Sequence, residues 1–348
     1  MTSNVRLVWE GRRTELPDFA PPPALELLEQ HGAGENRLIW GDNLRAMAAL
    51  RSEGANRFAL IYLDPPFFTG SQWQMRAKVG AAQENVAGFS DHWNNDLGAY
   101  LQWLYDRLCL VRELLSETGC LYLHLNWHAA HYARLLLDEI FGAQRFQNEI
   151  AWCYREAINS KKRWNRKHDT ILFYSKGENF TFNFDAVREP YSESHIKKYR
   201  LRDEKGPYRL MGRGIESSPL RSKRDLPPEY ETLYPGLTFR HYLGEGTLPV
   251  DYWRIDIENQ ASPRRTRYPT QKPEALMERI LLASTNPGDW VGDFCCGSGT
   301  TLAVAQRLGR KWVGCDCGEQ ALAVTRRRLL EAVEGPQTPS FRIEQVSA

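Results

Sequence analysis

No stretch of this sequence approaches the ~20 consecutive apolar residues that a membrane-spanning helix needs. Its first residues, Met1-Thr2-Ser3-Asn4-Val5-Arg6, carry neither the basic start nor the apolar core of a secretory leader. Seven cysteines, an odd number, without an export signal imply free thiols in a reducing compartment. The expectation is a cytoplasmic protein. Paired C-x-x-C spacing is missing from Cys295, Cys296, Cys315 and Cys317, and His124 falls on a strand before His128 and His131, so no metal is expected. Internal repeats are absent too, which excludes a solenoid or propeller.

Charge is nearly balanced overall, at +2 over 348 residues, but it is unevenly spread. From Arg155 to Arg224 there are 18 Lys/Arg against 9 Asp/Glu, a local excess of +9. Trp152, Trp164 and several tyrosines interleave with these charges. That pattern suits a nucleic-acid surface, where phosphates meet cations and bases stack on rings, although a solvated basic face has the same composition.

The most informative stretch is Asp64-Pro65-Pro66-Phe67-Phe68. It follows Phe58–Leu63, an apolar run with the content of a buried parallel strand. An acid at the carboxyl end of such a strand sits where open α/β sheets hold their ligands. Two prolines remove two donors and leave outward carbonyls, and an aromatic ring follows. One carboxylate, free carbonyls and a flat apolar face suit a planar, amine-bearing group such as a nucleobase.

Taken in order, Val5–Trp9 before Glu10-Gly11 predicts a small hairpin, and Pro21-Pro22-Pro23 a linker. Leu38–Trp40, a helix from Asn43 to about Arg51, and Phe58–Leu63 form a β-α-β unit. Residues 69–95 lack periodicity, which predicts a functional loop or a disordered one. Leu97, Leu101, Leu104, Leu108, Val111 and Leu115 share one helical face, with the helix stopping near Gly119. Cys120–Leu125 predicts a strand, His128–Ile140 a helix closed by Gly142, and 149–154 and 170–174 two further strands. Between 185 and 262 the pattern dissolves into Pro, Gly, Arg and Tyr, an inserted loop-rich segment. Regular α/β structure resumes at Pro273 and runs to about 332, and Ser340–Ile343 adds an edge strand.

A second motif lies in Trp290-Val291-Gly292-Asp293-Phe294-Cys295-Cys296-Gly297-Ser298-Gly299-Thr300-Thr301: strand, glycine turn, helix start. Gly297 and Gly299 let backbone approach a ligand, and the helix N–H groups point at it. The third glycine of the dinucleotide fingerprint is missing. The next strand, Lys311–Cys315, ends in Asp316, placed to accept hydrogen bonds from ribose hydroxyls. A nucleoside-containing cofactor follows from the pair. Thr270-Gln271-Lys272-Pro273-Glu274 opens the preceding helix, and Gly41-Asp42-Asn43 ends a strand as Asp316 does; Asp42 could equally be a helix cap.

DPPF at 64–67, FCCGSGTT at 294–301, QKPE at 271–274, GDNL at 41–44 and LYLHLNWH at 121–128 together resemble the motifs of the amino-methylating DNA methyltransferases. NEIAWCYR at 148–155 and RKHDTILFYSKG at 166–177 resemble that family's later strands. Catalytic motif before glycine motif, with an irregular segment between, is the order of its β-class. The resemblance spans roughly 38–330. It departs at Cys295-Cys296, where the family often has proline or another residue, but the loop glycines are intact.

The resemblance implies an α/β fold with a doubly wound, mostly parallel sheet of the seven-stranded methyltransferase type, in permuted motif order. It divides the chain into a hairpin and linker (1–30), a catalytic half (31–184), a target-recognition insertion (185–262) and a cofactor half (263–348). The cofactor is S-adenosylmethionine, with Gly297 and Gly299 under its methionyl part, Asp316 on the ribose, Asp42 on the adenine amine and Lys272 on the carboxylate. Asp64, Asp293, Phe294, Cys295, Ser298 and Thr300 complete that site, and Asp64, Pro65, Pro66 and Phe67 are the catalytic set. Lys161, Lys162, Arg163, Arg166, Arg213, Arg221 and Arg224 are the expected DNA contacts. Adenine N6 of duplex DNA is the expected target, because the cytosine-N4 pattern usually has Ser at the Asp64 position; cytosine N4 is the alternative. The family also implies a homodimer and a cognate restriction endonuclease as partners. A dinucleotide oxidoreductase would have no use for DPPF, and a non-catalytic DNA-binding protein no use for an intact cofactor loop.

Overall fold

The computed structural model describes residues 5–79, 82–155, 160–259, 262, 264–331 and 340–347, with the backbone alone for 72–79 and 82–90. The chain forms two compact units, one of residues 1–183 with 251–348 and one of 184–250.

In chain order the first unit begins with β1 (Leu25–His31), β2 (Asn36–Trp40), α1 (Asn43–Glu53) and β3 (Phe58–Leu63). After β3 come β4 (Gln72–Val79) and β5 (Ala82–Ser90), then α2 (Leu97–Leu114) and β6 (Leu115–Leu125). α3 (Ala130–Leu137) continues as a wide π turn over Asp138–Gly142 before β7 (Phe146–Cys153) and β8 (His168–Ser175). The second unit holds α4 (Glu193–Ile196), β9 (Leu201–Asp203), β10 (Gly206–Gly212), α5 (Tyr230–Leu233) and β11 (Thr238–Tyr242). The first unit resumes with β12 (Tyr252–Arg254), α6 (Glu274–Ser284), β13 (Trp290–Asp293), α7 (Thr300–Arg307), β14 (Lys311–Asp316), α8 (Glu319–Glu331) and β15 (Phe341–Val346).

Ten strands make the main sheet, in the order β1-β15-β2-β14-β13-β3-β6-β8-β7-β12. The run from β15 to β6 is parallel throughout, and β8 is antiparallel to both β6 and β7. The strand period of two divides the core. Ile61, Leu63, Leu121 and Leu123 face α1, α2 and α3, whereas Leu60, Tyr62, Cys120 and Tyr122 face α6, α7 and α8. Apolar residues on both faces of each strand, with helices on both sides, are the doubly wound arrangement expected. The same alternation sets Tyr62, His124, Trp152 and Asp169 toward the α6–α8 side at the carboxyl edge of the parallel strands.

Four local expectations are corrected. Residues 5–24 contain no strand; instead of a hairpin, Leu7, Trp9, Leu16 and Phe19 pack on the core. β4 and β5 pair antiparallel, so 69–95 is largely a two-stranded ribbon rather than a structureless loop. Gly119 does not end α2 but lies within β6, where the register with β3 shifts and a Cβ would come 2.6 Å from the Phe58 carbonyl oxygen. β15 is not an edge strand, because β1 covers it.

The 184–250 unit carries its own sheet, β11-β10-β9, over a small core of Leu210, Leu220 and Leu226. β12 is already back in the main sheet, parallel to β7.

Candidate active site

Asp64 leaves the end of β3 half-buried, its Oδ2 bonded to Lys272 Nζ at 2.6 Å. Its Oδ1 has no hydrogen-bond partner among the described residues and lies 3.6 Å from His124 Nδ1. Beneath the loop is a buried polar stack. The Tyr62 hydroxyl is 2.7 Å from His124 Nδ1, and His124 Nε2 is 3.4 Å from Asp169 Oδ2. Burial, then the Asp64 charge, pushes the Tyr62 phenol well up. Burial pushes the Asp169 carboxyl up, but the hydrogen bond and charge of His124, with Lys272 nearby, outweigh it and hold the group below its ordinary value. The Phe67 ring lies 5.5 Å from the His124 ring, and Trp152 meets His124 in a T-shaped contact at 5.3 Å.

The loop is fixed by a residue that sequence reasoning did not single out. Asp91 is 1% exposed and accepts from the backbone N–H groups of Phe67 (3.2 Å), Phe68 (3.0 Å) and Thr69 (2.7 Å), from the Thr69 hydroxyl and from the Trp93 indole. Phe68, at φ +60°, is thereby held in a conformation that few bulky residues adopt. The Pro66 carbonyl is not a free acceptor as expected, since it takes a hydrogen bond from the Tyr100 hydroxyl at 2.9 Å.

Across the cleft, Gly297 and Gly299 have positive φ, and a Cβ on Gly299 would stand 2.6 Å from the Thr325 methyl. Asp316 at the end of β14 accepts from the N–H groups of Gly297 and Gly318, both at 2.9 Å, and burial raises its carboxyl pKa. Asp293 is buried. Desolvation pushes its carboxyl up to about 7 against the bonds from Thr301 and the Cys295 N–H. Phe294 packs edge-on against Phe58 in the core, so its backbone rather than its ring reaches the cleft. Cys295 Sγ meets Asn43 Nδ2, while Ser298 and Thr300 line the same wall.

Asp42 caps α1 through the Arg45 N–H and binds Arg107 Nη2 at 2.8 Å, so it is both cap and cleft residue. Arg107, buried against Trp103, also holds Asn43. Another buried arginine, Arg328 of α8, joins the Ser298 carbonyl, Thr300 Oγ1 and Glu274, locking the glycine turn to the start of α6. Neither arginine belongs to a motif of the sequence. These walls enclose a cleft of about 750 Å³, which also includes Tyr154, Glu258, Arg265 and Tyr268. Its glycine turn, strand-end carboxylate and volume fit a nucleoside cofactor.

The expected DNA contacts are exposed. Lys161, Lys162, Arg163 and Arg166 lie on the β7–β8 connection beside Trp164, which is 96% exposed, and Arg166 stacks on Trp127 at 3.5 Å. Trp152, read as an interleaved surface ring, is instead buried and donates to the Ile255 carbonyl. Arg213, Arg221 and Arg224 are exposed on the 184–250 unit. His128 bonds Asn126, while His131 is exposed, so neither joins His124.

A family model described as DNA methylase, of N6 and N4 specificity, matches residues 58–327. The type II methyltransferase M.EcaI of Enterobacter cloacae is 33% identical over 330 residues, covering 86% of this chain and 69% of that protein. The DNA adenine methyltransferase YhdJ of Escherichia coli K12 is 28% identical, covering 84% and 82%. Among solved structures, the cytosine-N4-specific PvuII DNA methyltransferase aligns at a TM-score of 0.54 and 16% identity, covering 89% of this chain and 92% of its own. The chain belongs to the amino-methylating DNA methylase family and is a DNA methyltransferase. No helix among the described residues is long and apolar enough to cross a membrane.

Two predictions follow from this geometry. Asp91→Ala strands three backbone donors and should lower stability by about 2–4 kcal/mol, read as a lower urea midpoint at unchanged m; an unchanged midpoint contradicts the bracing role. Asp293 keeps its proton to about pH 7 when folded but loses it near 3.8 when unfolded. Its contribution is therefore complete below about pH 4 and falls as pH rises to about 7, by roughly 4 kcal/mol in all. Urea titrations of cofactor-free Asp293→Asn should lack that decline; an identical pH dependence in both proteins would contradict it.

Proposed function

We propose that the protein transfers a methyl group from S-adenosylmethionine to adenine N6 of a base flipped out of duplex DNA. The observation that carries this reading is the Asp64 carboxylate, with one oxygen unpartnered, next to Pro65 and the Phe67 ring. S-adenosylmethionine, when bound, supplies an electrophilic methyl on a sulfonium. Gly297 and Gly299 would admit its methionyl part, Asp316 its ribose hydroxyls, and Asp42 its adenine amine, with Asp293, Phe294, Cys295, Ser298 and Thr300 lining the wall.

A base inside a duplex is out of reach, and extruding it costs a few kcal/mol. Phe67 stacks on the extruded ring and recovers about 1–3 kcal/mol. Asp64 Oδ1 accepts a hydrogen bond from the exocyclic amine and the Pro65 carbonyl accepts the other, turning the nitrogen lone pair toward the methyl. As the N–C bond forms and the methyl C–S bond breaks, neutral S-adenosylhomocysteine would leave. Positive charge develops on the nitrogen, where the carboxylate is most favourable, and the surplus amine proton leaves through the hydrogen bond to Asp64. The remaining task is alignment.

Asp rather than Ser at position 64, together with one relative named as a DNA adenine methyltransferase, supports adenine. Cytosine N4 is the alternative, since its amine has the same chemistry. The 184–250 unit, with Arg213, Arg221 and Arg224, reads the target sequence, and the Lys161–Arg166 segment tracks phosphates. A cytoplasmic, DNA-associated enzyme, a homodimer and a cognate restriction endonuclease complete the proposal.

Nucleoside mass spectrometry of DNA from a host expressing the chain should find N6-methyladenine. N4-methylcytosine in its place would overturn the choice of base. DNA affinity should fall with salt at about 0.9 log units per log unit for each neutralised phosphate, and Lys161→Ala and Arg163→Ala should each flatten the slope by about that amount. A slope unchanged by both would remove this segment from the DNA surface.

A further inference from the structure

Lys272 is placed on the wrong anion for a residue devoted to a cofactor carboxylate. Its ammonium contacts Asp64 Oδ2 at 2.6 Å and stands over the Phe67 ring, 5.4 Å from the centroid. One cation therefore touches both features of the base pocket, on Asp64 through Oδ2 alone. Stacked rings lie with centroids roughly 4.5–7 Å apart, so a base on Phe67 would need the space that the ammonium holds. An amine approaching Asp64 would also meet a carboxylate whose charge is already matched.

The backbone that carries this lysine is fixed. The Lys272 carbonyl accepts from Thr300 Oγ1 at 3.1 Å, which ties it to the glycine turn. Glu274, two residues on, is held by Arg328. Only the flexible four-carbon stem is left to move, and its root is tied to the glycine turn that the methyl-transfer reading assigns to the methionyl part. A single ammonium, which also reaches the Thr270 carbonyl at 3.5 Å, then has two alternative anions, Asp64 and the cofactor carboxylate.

We propose that Lys272 is a positioning residue shared between the two halves of the site. It screens Asp64 and covers Phe67 until a cofactor carboxylate draws it away, so that the target base enters only after the cofactor. The proposal rests on the methyl-transfer reading above. Cofactor binding thereby acts on base capture through a differential contact rather than through any movement of the sheet.

The test uses a duplex bearing the site located by modified-base sequencing, with 2-aminopurine at the target position. Fluorescence of this probe rises when the base leaves the stack. With the wild-type protein the signal should rise several-fold on adding S-adenosylhomocysteine and stay near that of free duplex without it. 5′-Methylthioadenosine at saturation, which lacks the amino-acid part, should fail to release the base. Lys272→Met should give the rise with no ligand present, whereas Lys272→Arg should keep the ligand requirement. A full rise in the wild type without ligand, or an equal response to the two adenosyl ligands, overturns the proposal even if Lys272→Met does not fold. A Lys272→Met protein that still needs S-adenosylhomocysteine does the same. Absence of any methylated site would instead defeat the methyl-transfer reading, and the shared lysine with it.

Discussion

The buried carboxylate of Asp91 receives three successive backbone N–H groups, from Phe67, Phe68 and Thr69, and the geometry of the site depends on that grip. A loop after two prolines has few donors of its own with which to form regular structure. Without an internal acceptor those three amides would seek water, and the aromatic at 67 would have no fixed plane. Tyr100 closes the loop from the other side through the Pro66 carbonyl. The carboxylate of Asp64 and the ring of Phe67 are thus set by partners outside the motif, which leaves Asp64 Oδ1 free to act on a substrate.

The rest of the molecule brings a second set of groups to the same edge. Parallel strands β3, β13 and β14 end side by side in Asp64, Asp293 and Asp316, so three acids converge where the sheet offers only backbone to balance them. The charge is managed in three ways. Asp293 is buried, which raises its carboxyl to about 7, Asp316 is wrapped by backbone amides, and Asp64 is paired with Lys272. Arg328 and Arg107 stiffen the two walls by satisfying carbonyls and side chains of the turns.

Much of this was legible in the sequence, for definite reasons. β3, β13, β14 and α1 announce themselves because an apolar run ends in an acid and a turn at a fixed offset. Other elements gave no such signal. β1 reads LELLEQH, a composition that favours helix, and is a strand only because β15 pairs with it. β15 looked like an edge because its neighbour β1 was unrecognised. Asp91 lies over twenty residues from the loop it holds, and no periodicity connects the two. Arg107 and Arg328 resemble ordinary polar positions on amphipathic helices until packing buries them. Lys272 and Asp64 each stand in a motif, but their 2.6 Å pairing depends on tertiary structure that no motif encodes.

The central claim is that Asp64 serves the chemical step itself and not merely the assembly of the site. Single-turnover methyl transfer by Asp64→Ala, with cofactor and DNA binding measured on the same duplex, tests it most directly. The account predicts that transfer is abolished while both affinities stay within about tenfold of wild type, or ~1.4 kcal/mol. Substantial transfer by the alanine variant would contradict it.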